Sequence, residues 1–573
     1  MRRIFAARSR SPRHAGETAL CSSLIAIAVI ATTQGASAQQ VPDVGGQLQQ
    51  IPPAATPERQ APELPVAPPQ RAPDAEASGA AIQVRSVHVT GNTLFSEADL
   101  IAASGVAPGS TLTLPELRNA AASITAFYNE RGYFLAQAYL PVQDVDQGAV
   151  TIAVIEGRYG DIVLRNEAGL SDRVARNLTD NLSSGDPVAI APLERSLLLL
   201  SDVPGVVVHS TLSPGDAVGT SDLTIDLDRG RAITGSLEAD NAGNRYTGEY
   251  RVGGSVNFNN PTGNGDLISL RVLASTEGLA YGRASYQAPI GEATLGVAYT
   301  HLQYSLGREF NNLDASGTAD IFSVFGSYPI IRSRANNLYA VASYDMRLLE
   351  DEIGLVSQVS NKTSHSVSAG VRGDWRDSFG GGGSNTYSAI WTTGDLDIED
   401  PAERDNDALT ARTQGNFDKL QLSFARLQHI TGPLSLFGGV RAQVAFDNLD
   451  SSEKMSLGGA YAVRAYPEGE AYGDEGYVAT LEARLVLDQW TPSMPGSLQA
   501  IAFVDAGEVN FAHDPWFTGS NHARRLGAGV GLIWSGPDDL TIRATYATKI
   551  DDQEATSAPD EDGRAWFQIT KLF

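Results

Sequence analysis

The spacing of hydrophobic residues changes near residue 230. From residue 231 to the C-terminus, short runs alternate apolar and polar positions, and clusters of Gly, Asn, Asp, Pro and Ser separate these runs. A period of two predicts β-strands whose two faces meet different surroundings. Strands of about ten residues, with turns between them, suit about sixteen strands over this length. We therefore predict an antiparallel transmembrane β-barrel over residues 230–573, with a soluble β-sandwich or propeller as the alternative.

The chain before residue 230 mixes strand and helix patterns and repeats them once. Residues 81–157 predict the order strand, helix, helix, strand, strand, and residues 158–229 predict the same order again. Ser96 is a good N-cap for the first helix. Apolar residues at helical spacing mark a second helix over residues 114–131. Two copies of the unit indicate an internal repeat of small α+β domains.

The first 80 residues predict no folded core. A segment with five arginines precedes an apolar run and an A-x-A site that ends at Ala38, which is the pattern of a secretory signal peptide over residues 1–38. A membrane anchor is the alternative, but the apolar run is shorter than the ~20 residues that a spanning helix needs. Residues 39–80 are rich in Pro, Ala and Gln, a composition that favours an extended linker.

Composition narrows the classes of function. The net charge is −25, which disfavours nucleic-acid binding because a phosphate backbone requires a basic surface. The only cysteine, Cys21, lies in the predicted signal peptide, so the mature chain is expected to contain no disulfide and no cysteine metal site. The sequence offers no nucleophile, phosphate-loop or metal-ligand motif. We therefore expect no enzyme activity, no cofactor and no metal.

One loop and one strand of the barrel region carry opposite charges. Residues 456–476 form a glycine-rich segment with a single arginine, Arg464. Asp505 is a lone carboxylate in an alternating strand, where it shares one face with Phe503 and Gly507. Since a carboxylate is not expected to face lipid, this face is predicted to be the lumen of the barrel. An arginine can hold a carboxylate with two parallel hydrogen bonds, so we predict that the loop folds inward and pairs Arg464 with Asp505.

Several segments carry a family resemblance. Residues 82–93 (IQVRSVHVTGNT) resemble the opening strand of the polypeptide-transport-associated (POTRA) domain, and residues 128–133 (YNERGY) resemble the end of its second helix. Two such units, followed by a barrel that ends in Phe573, resemble the two-partner secretion transporters of the ShlB/FhaC/HecB family. The segments at residues 240–248 and 260–266 resemble the first strand pair of that family's barrel.

Two motifs of the same family fall on the charged loop and strand. Val463-Arg464-Ala465-Tyr466 resembles the loop motif V-R-G-Y/F, and residues 503–507 resemble the strand motif F-x-D-x-G. The resemblance implies that the loop over residues 450–476 folds into the barrel and that its arginine pairs with the aspartate. The residues that support the two motifs are Val463, Tyr466, Phe503 and Gly507.

The resemblance also implies a function. It implies an outer-membrane protein translocase whose POTRA units lie in the periplasm and capture an unfolded partner exoprotein, haemolysin- or adhesin-like, by its N-terminal secretion domain. Outer-membrane lipid is a second expected partner, and the barrel-assembly machinery, acting through Phe573, is a third. No nucleic-acid partner is expected. The candidate partner-binding residues of the POTRA units are Val84, Val87, Leu197, Leu200, Val206 and Val208.

The sequence departs from the family pattern at two places and leaves two other functions open. Ala465 stands where the family has a glycine, and alanine adopts some glycine conformations reluctantly. Residues 45–51 are the one candidate for the plug helix found in many relatives, and their shortness and flanking prolines make a plug helix doubtful. The alternatives to a transporter are an outer-membrane protein assembly factor of the same superfamily and a passive porin.

Overall fold

The computed structural model describes residues 41–54, 81–145 and 148–573. The predicted signal peptide at residues 1–38 and residues 55–80 of the predicted linker lie outside the described residues. The described chain begins with a short helix, continues through two α+β units and ends in a closed barrel. Within these ranges, no helix is both long enough and apolar enough to cross a membrane.

The first α+β unit follows the predicted order of elements. Its elements are β1 (Ile82–Gln83), β2 (Ser86–Thr90), α2 (Glu97–Ser104), β3 (Thr111–Leu112), α3 (Leu114–Glu130), β4 (Gln137–Tyr139) and β5 (Ala149–Ile155). Strand β5 lies between β2, to which it is parallel, and β4, to which it is antiparallel. Ser96 caps α2 by accepting a hydrogen bond from the backbone N–H of Asp99, as its position predicted.

The second unit repeats this order. Its elements are β6 (Arg158–Asn166), α4 (Asp172–Asn177), α5 (Ile190–Ser201), β7 (Val206–Pro214) and β8 (Thr220–Arg229). Strand β8 lies in the centre of the sheet, so β7 is an edge strand with one side unpaired. Each unit buries its own cluster of apolar side chains between helices and sheet, which makes the two units separate small cores.

Sixteen antiparallel strands close the barrel. They are β9 (Ile233–Asp240), β10 (Arg251–Asn259), β11 (Leu267–Ser275), β12 (Ala280–Ile290), β13 (Ala293–Ser305), β14 (Ala315–Arg332), β15 (Asn336–Ile353), β16 (Gln358–Asp377), β17 (Gly383–Ile398), β18 (Gly415–Thr431), β19 (Leu434–Ala445), β22 (Glu475–Val486), β23 (Ser497–Asn510), β24 (His522–Ser535), β25 (Leu540–Lys549) and β26 (Gly563–Leu572). Each strand pairs with its sequence neighbour, and β26 closes the ring by pairing with β9 over residues 568–572.

Alternation along the strands separates an apolar outer face from a more polar lumen. In β23, Phe503 and Asp505 are 3% and 0% exposed, whereas Val504 between them is 45% exposed. The predicted lumen face of this strand is therefore confirmed. The exposed positions of other strands are likewise largely apolar or aromatic, such as Tyr299 and Phe322, which lie in contact on β13 and β14. This arrangement is the one expected for strands that meet lipid on one side only.

Ion pairs fix the second α+β unit to the barrel. Arg195 of α5 pairs with Glu292 in the turn between β12 and β13 (Nη2–Oε2, 2.6 Å) and also donates to the carbonyl oxygen of Pro329 (2.8 Å). In the opposite sense, Arg332 of the barrel makes two hydrogen bonds to Asp202 at the end of α5 (2.8 and 2.9 Å). These reciprocal pairs hold α5 and the following β7 at the mouth of the barrel.

The helix that the sequence made doubtful is present inside the barrel. Helix α1 (Val44–Gln49) overlaps the candidate plug segment at residues 45–51, and Asp43 caps it by accepting a hydrogen bond from the Gly46 N–H. The helix has only six residues, so its own hydrogen bonds give it little stability. It is ordered by contacts with the barrel wall, and Val44 and Gln47 are 1% and 0% exposed. The doubt about a plug helix was therefore wrong. The local sequence pattern gives only a weak signal for so short a helix, because the helix is stabilised by its contacts with the barrel.

Candidate functional site

The long loop between β19 and β22 folds back into the barrel. Residues 446–474 form this inward loop, which contains the small strand pair β20 (Met455–Ser456) and β21 (Tyr472–Gly473). A cluster of its apolar residues packs against the lumen side of β22 to β25; Leu457, Val463 and Tyr466 are each 0% exposed. The inward loop predicted over residues 450–476 is thus present, although its last two residues already belong to β22.

Arg464 reaches the wall of the barrel and meets Asp505. Its Nε and Nη2 atoms donate to Oδ2 and Oδ1 of Asp505 at 2.8 and 2.9 Å, and its backbone N–H donates to Oδ2 at 3.2 Å. Thr480 of the neighbouring strand donates its hydroxyl to Oδ1 at 2.9 Å. The carboxylate therefore accepts four hydrogen bonds at a site that water does not reach. The predicted pairing of Arg464 with Asp505 is what the structure contains.

A second carboxylate, Glu482 of β22, takes part in the same site and was not predicted. Its Oε2 accepts a hydrogen bond from Nη1 of Arg464 (3.0 Å), so the arginine contacts two carboxylates at once. Arg543 and Arg484 also donate to Glu482, at 3.2 and 2.8 Å. Glu482 is a charged residue on the lumen face of an alternating strand, as Asp505 is. The same reasoning that singled out Asp505 applies to it once the register of β22 against β23 is known.

We refer to Arg464, Asp505, Glu482 and Thr480 as the loop lock. Burial alone would lower the pKa of the Arg464 guanidinium, but its hydrogen bonds with Asp505 and Glu482 outweigh burial and hold that pKa above the ordinary value. The arginine is therefore charged at every physiological pH. Its guanidinium carbon also lies 3.3 Å from the centre of the Phe503 ring, a cation–π contact that adds to the attraction.

The four supporting residues of the two motifs lie around the loop lock. The Phe503 ring lies under the guanidinium, and Val463 and Tyr466 are buried on either side of Arg464. The Tyr466 hydroxyl donates to Asp551 (2.5 Å) and to the carbonyl oxygen of Gln553 (2.9 Å), which connects the loop to the next surface loop. At Gly507 the loop approaches so closely that a Cβ atom would lie 2.6 Å from Leu457 and 3.2 Å from Val463. All four predicted residues therefore belong to the site.

The alanine at position 465 is accommodated by a glycine on the facing strand. Ala465 is not among the residues with positive φ, so its backbone needs no conformation reserved for glycine. Its methyl group lies over Gly527 of β24, where an added Cβ would come within 2.5 Å of the Ala465 Cβ. Alanine therefore fits at the tip of the loop because the wall opposite it has no side chain.

Helix α1 rests directly on the inward loop. The Gly45 position leaves no room for a side chain, because a Cβ there would collide with the Ser451 hydroxyl and the Ser452 backbone N–H. Gln49 donates its amide to the carbonyl oxygen of Ser452 (2.5 Å), and Gln50 donates to the hydroxyl of Tyr472. The loop that carries Arg464 thus forms one side of the surface on which the helix lies.

The barrel wall forms the other side. Asp351 accepts a hydrogen bond from the Val44 N–H (2.9 Å), and Arg251 and Arg271 donate to the carbonyl oxygens of Gln50 (3.0 Å) and Pro52 (2.6 Å). We call the surface that holds α1 the helix seat; its members are Thr247, Arg251, Arg271, Asp351, Ser451, Ser452 and Tyr472. The chain continues from the helix toward the end of the barrel where the POTRA units lie.

The helix and the loop divide the lumen into two chambers. A cavity of about 1280 Å³, the surface chamber, is bounded by the start of the helix, including Asp43 and Gly46, and by the surface loops. A second cavity of about 1140 Å³, the periplasmic chamber, is bounded by the end of the helix, residues 51–54, and by β7 of the second α+β unit. The polypeptide that separates the two chambers is α1 and the inward loop of this same chain.

The six candidate partner-binding residues of the POTRA units are core residues instead. Their side chains are between 0% and 8% exposed, and they pack inside the two hydrophobic cores. The residues concerned are Val84, Val87, Leu197, Leu200, Val206 and Val208. Their assignment as contact residues was wrong because alternation identifies a face of a strand but does not tell which face is covered by the helices. The strands that carry some of them, β2 and β7, are nevertheless edge strands with a free backbone side.

Among the described residues, no three His, Cys, Asp or Glu side chains gather as metal ligands. The contacts of the loop lock are ion pairs and hydrogen bonds between the inward loop and the barrel wall.

Comparison with known proteins identifies the family. The sequence profile described as haemolysin secretion/activation protein ShlB/FhaC/HecB matches residues 219–533, which is more than half of the chain and includes the loop lock. The chain belongs to the ShlB/FhaC/HecB family. A second profile, the ShlB-type POTRA domain, matches residues 82–157, which correspond to the first α+β unit.

Curated relatives of the ShlB/FhaC/HecB type align over most of the chain. The heme/hemopexin transporter protein HuxB of Haemophilus influenzae is 28% identical over 81% of this chain and 82% of its own length. The outer membrane transporter CdiB of Dickeya dadantii is 23% identical over 86% of this chain and 85% of its own. The alignments therefore extend through both the POTRA region and the barrel.

Solved structures share the fold. CdiB from Escherichia coli superimposes with a TM-score of 0.69 at 22% identity and covers 88% of this chain and 94% of its own. BamA from Haemophilus ducreyi lacking POTRA domains 1-3 gives a TM-score of 0.50 at 15% identity, with 86% of this chain and 100% of its own covered. Both comparisons show the same arrangement of POTRA units before a barrel.

Membership of the ShlB/FhaC/HecB family gives the location and general activity. The family consists of two-partner secretion transporters, so this protein is an outer-membrane protein translocase with its POTRA units in the periplasm. The family assignment favours a transporter over the two alternatives, an assembly factor and a passive porin.

Proposed function

We propose that the protein exports one large partner exoprotein, which its POTRA units capture as an unfolded chain and its barrel conducts to the cell surface. The observation that carries this proposal is that the lumen already encloses polypeptide, namely α1 and the inward loop, between two chambers. A barrel of this width can replace its own enclosed segments by a passing chain. HuxB is named as a heme/hemopexin transporter protein and ShlB as a hemolysin transporter protein; the partner of this chain is proposed to be a haemolysin- or adhesin-like exoprotein.

Capture is proposed to begin at the edge strands of the POTRA units. An extended segment of the partner's N-terminal secretion domain adds to the free side of β7 or β2, where backbone hydrogen bonds supply affinity with little demand on sequence. Strand β7 is the better placed of the two, because the residues at its start, Val206 to His209, bound the periplasmic chamber. The pairs of Arg195 with Glu292 and Arg332 with Asp202 keep this edge at the barrel mouth.

Passage then requires the enclosed segments to move. Helix α1 contacts the inward loop, and the loop lock holds that loop to the barrel wall. The two segments that obstruct the lumen are therefore in contact with each other. No nucleotide-binding motif is present in the sequence, and folding of the partner outside the cell is the proposed source of free energy. The order of events is capture at β7, withdrawal of α1 and displacement of the loop.

Insertion of the barrel is proposed to depend on its C-terminus and on lipid. The backbone of Phe573 exchanges two hydrogen bonds with Gly235 of β9 (3.1 and 3.0 Å), and its ring lies across this glycine and is 42% exposed. An exposed aromatic group at the closing strand is a feature that the barrel-assembly machinery can recognise before the ring closes. The apolar outer face supports contact with outer-membrane lipid.

An export assay tests the proposal. The intact chain would be expressed with the large secreted protein encoded beside it, and the partner would be measured in the medium. We expect the partner in the medium only when the chain is present, and we expect a partner that lacks its N-terminal secretion domain to stay inside the cell. This second partner is the matched control, because it leaves the transporter unchanged. Equal export of the truncated partner, or loss of other outer-membrane proteins on removal of the chain, would contradict the proposal.

A further inference from the structure

The periplasmic chamber has a wall of arginines. Four of its bounding residues are arginines, and none is an aspartate or a glutamate. The four are Arg231, Arg271, Arg283 and Arg347. The chamber also opens on the unpaired edge of β7 through residues 206–209. A basic surface therefore lies beside a strand edge that can accept backbone hydrogen bonds.

Two of these arginines are already neutralised and two are not. Arg271 pairs with Glu238 (3.1 Å), and Arg347 pairs with Glu453, which Lys419 also contacts. Among the described residues, no carboxylate lies within ion-pair distance of Arg231 or Arg283. The Arg283 Nη1 donates only to the hydroxyl of Thr300 (2.9 Å), and Arg231 is exposed to the chamber.

Several other arginines of the lumen pair with carboxylates. Close to the chamber, Arg251 is fully compensated by Asp240 at 2.9 Å, and in the loop lock Arg464 meets two carboxylates. The surface chamber on the other side of α1 is bounded by six carboxylates and only four lysines and arginines. The periplasmic chamber is thus bounded by an excess of positive charge, although the net charge of the protein is −25.

We infer that the periplasmic chamber is a binding site for an acidic, extended segment of the exported polypeptide, held by Arg231 and Arg283 while its backbone adds to β7. This inference rests on the proposed function and specifies the chemistry of the partner. Guanidinium groups bind carboxylates with two hydrogen bonds and retain their charge when partly desolvated. A segment in which acidic residues alternate would present its carboxylates to one side and its other side chains away from the wall, since side chains of an extended chain alternate.

Peptide is favoured over a small anion by the position of the strand edge. A free phosphate or carboxylate can satisfy the arginines, but it cannot use the unpaired backbone groups of β7, whereas an extended peptide uses both. The positive potential also acts before contact, because like-signed charge in a cleft draws oppositely charged groups from solution at low ionic strength. The site would therefore select and orient the first segment that enters the barrel.

A binding assay with the full-length protein in detergent tests the inference. The probe is a fluorescein-labelled twelve-residue peptide in which Glu alternates with Thr, and the comparison peptide carries Gln in place of Glu. In low-salt buffer we expect the Glu peptide to bind at least about tenfold more tightly than the Gln peptide, with the difference shrinking as salt screens the charges. The double variant Arg231→Gln/Arg283→Gln should remove most of this difference.

Matched variants and a modified peptide make the test specific. Arg118→Gln/Arg173→Gln removes the same charge from exposed POTRA positions outside the chamber and should leave binding unchanged. A Glu peptide with alternate N-methylated backbone groups should bind about tenfold less tightly, because it cannot complete the pairing with β7. Equal binding of the Glu and Gln peptides, or unchanged binding by the chamber variant, would overturn the inference, and equal binding of the N-methylated peptide would overturn its strand-addition part.

The outcomes separate this inference from the proposed function. Export of the partner is measured independently of peptide binding. If the intact chain exports its partner but shows no preference for the Glu peptide, the inference fails and the proposed function stands. If the chain prefers the Glu peptide but exports no partner, the proposed function fails. The inference fails with it, because binding of an acidic peptide in the chamber would not be a step in export.

Discussion

The loop lock and the helix seat both hold polypeptide in the lumen, but they do so with different chemistry. In the loop lock, all three guanidinium nitrogens of Arg464 donate to carboxylates, and both oxygens of Asp505 and of Glu482 accept hydrogen bonds. At the helix seat several buried polar atoms have no partner among the described residues. They are Nε2 of Gln47, Nη2 of Arg251 and Nε of Arg271.

The balance of positive and negative charge also differs between the loop lock and the helix seat, and it too favours the loop lock. The two carboxylates of the loop lock are surrounded by three arginines, Arg464 of the lock itself and the neighbouring Arg484 and Arg543. Arg251 and Arg271 of the helix seat pair with Asp240 and Glu238, and three further carboxylates near the start of α1 share the field of Lys362. These carboxylates are Asp43, Asp351 and Asp450. A buried polar group without a partner is costly, and so is a carboxylate with too few cations near it. The comparison teaches that the loop is held firmly and the helix weakly, which suits a segment that must leave the lumen first.

The largest expected effect comes from breaking the loop lock. Arg464→Ala leaves Asp505 buried with only the Thr480 hydroxyl and the backbone N–H of residue 464 as donors, and removing one partner of a buried pair typically costs about 3–5 kcal/mol. Asp505→Ala should cost less, because Glu482 still holds the arginine. The measurement is the temperature at which the folded barrel loses its anomalous mobility on a denaturing gel.

The double variant Arg464→Ala/Asp505→Ala supplies the control. It removes both charges, so we expect it to be more stable than Arg464→Ala alone. If the destabilisation of the double variant equalled the sum of the destabilisations of the two single variants, Arg464 and Asp505 would not be coupled. The conclusion that the loop is held firmly would then be incorrect.

A smaller effect is expected from crowding the helix seat. Gly45→Ala places a methyl group against the backbone of Ser452, and overpacking of this kind costs about 1–3 kcal/mol. We expect the helix to leave its seat and the conductance of the purified protein in planar bilayers to rise. Gly46→Ala is the matched control, since the nearest atoms to its added Cβ lie at 3.2 Å or more and the helix should stay in place. Equal conductance of the two variants would show that α1 does not obstruct the pore.

The smallest expected effect is a dependence on pH. Burial raises the pKa of the Asp43 carboxyl; Lys362 acts against this rise and Asp450 adds to it. A carboxyl whose pKa is higher in the seated state binds its proton more tightly there, so acidification stabilises the seated helix and rising pH weakens it. We expect conductance to increase as the pH rises above about 4, the ordinary pKa of an aspartate side chain.

Asp43→Asn tests the assignment of this pH dependence. Asparagine still caps α1 but does not titrate in this range, so conductance of the variant should change little with pH. If the conductance of Asp43→Asn rose with pH as it does in the intact chain, another group would be responsible for the pH dependence. Titration of Asp43 would then not distinguish the helix seat from the loop lock.

The barrel could be predicted because it depends on local pattern, whereas the pairing of Arg464 with Asp505 became a specific prediction only through the two family motifs. Alternation along each strand reports lipid on one side and lumen on the other, which gave the strand count and the face of Asp505. Glu482 was missed because its partnership with Arg464 depends on the register between β22 and β23, and single-strand patterns do not contain register.

The remaining errors have a related cause. Val206 and Val208 alternate correctly along β7, but the side covered by the POTRA helices is a tertiary property, so their burial could not be inferred. Helix α1 has six residues and a weak intrinsic signal, and its order comes from hydrogen bonds with Asp351, Arg251 and the inward loop. Sequence patterns therefore predicted well the elements whose stability comes from their own residues. They predicted less well the elements that are stabilised by contacts with distant parts of the chain.

The contact between Ala465 and Gly527 means that the residues at these two positions cannot vary independently. The space between the loop tip and β24 holds one methyl group, and either position can supply it. Alanine at both positions would force the tip away from the wall, and glycine at both would leave a small gap behind Arg464. A change at one position is therefore expected to be accompanied by the reverse change at the other over evolutionary time, although the positions lie on separate elements and neither carries a functional group.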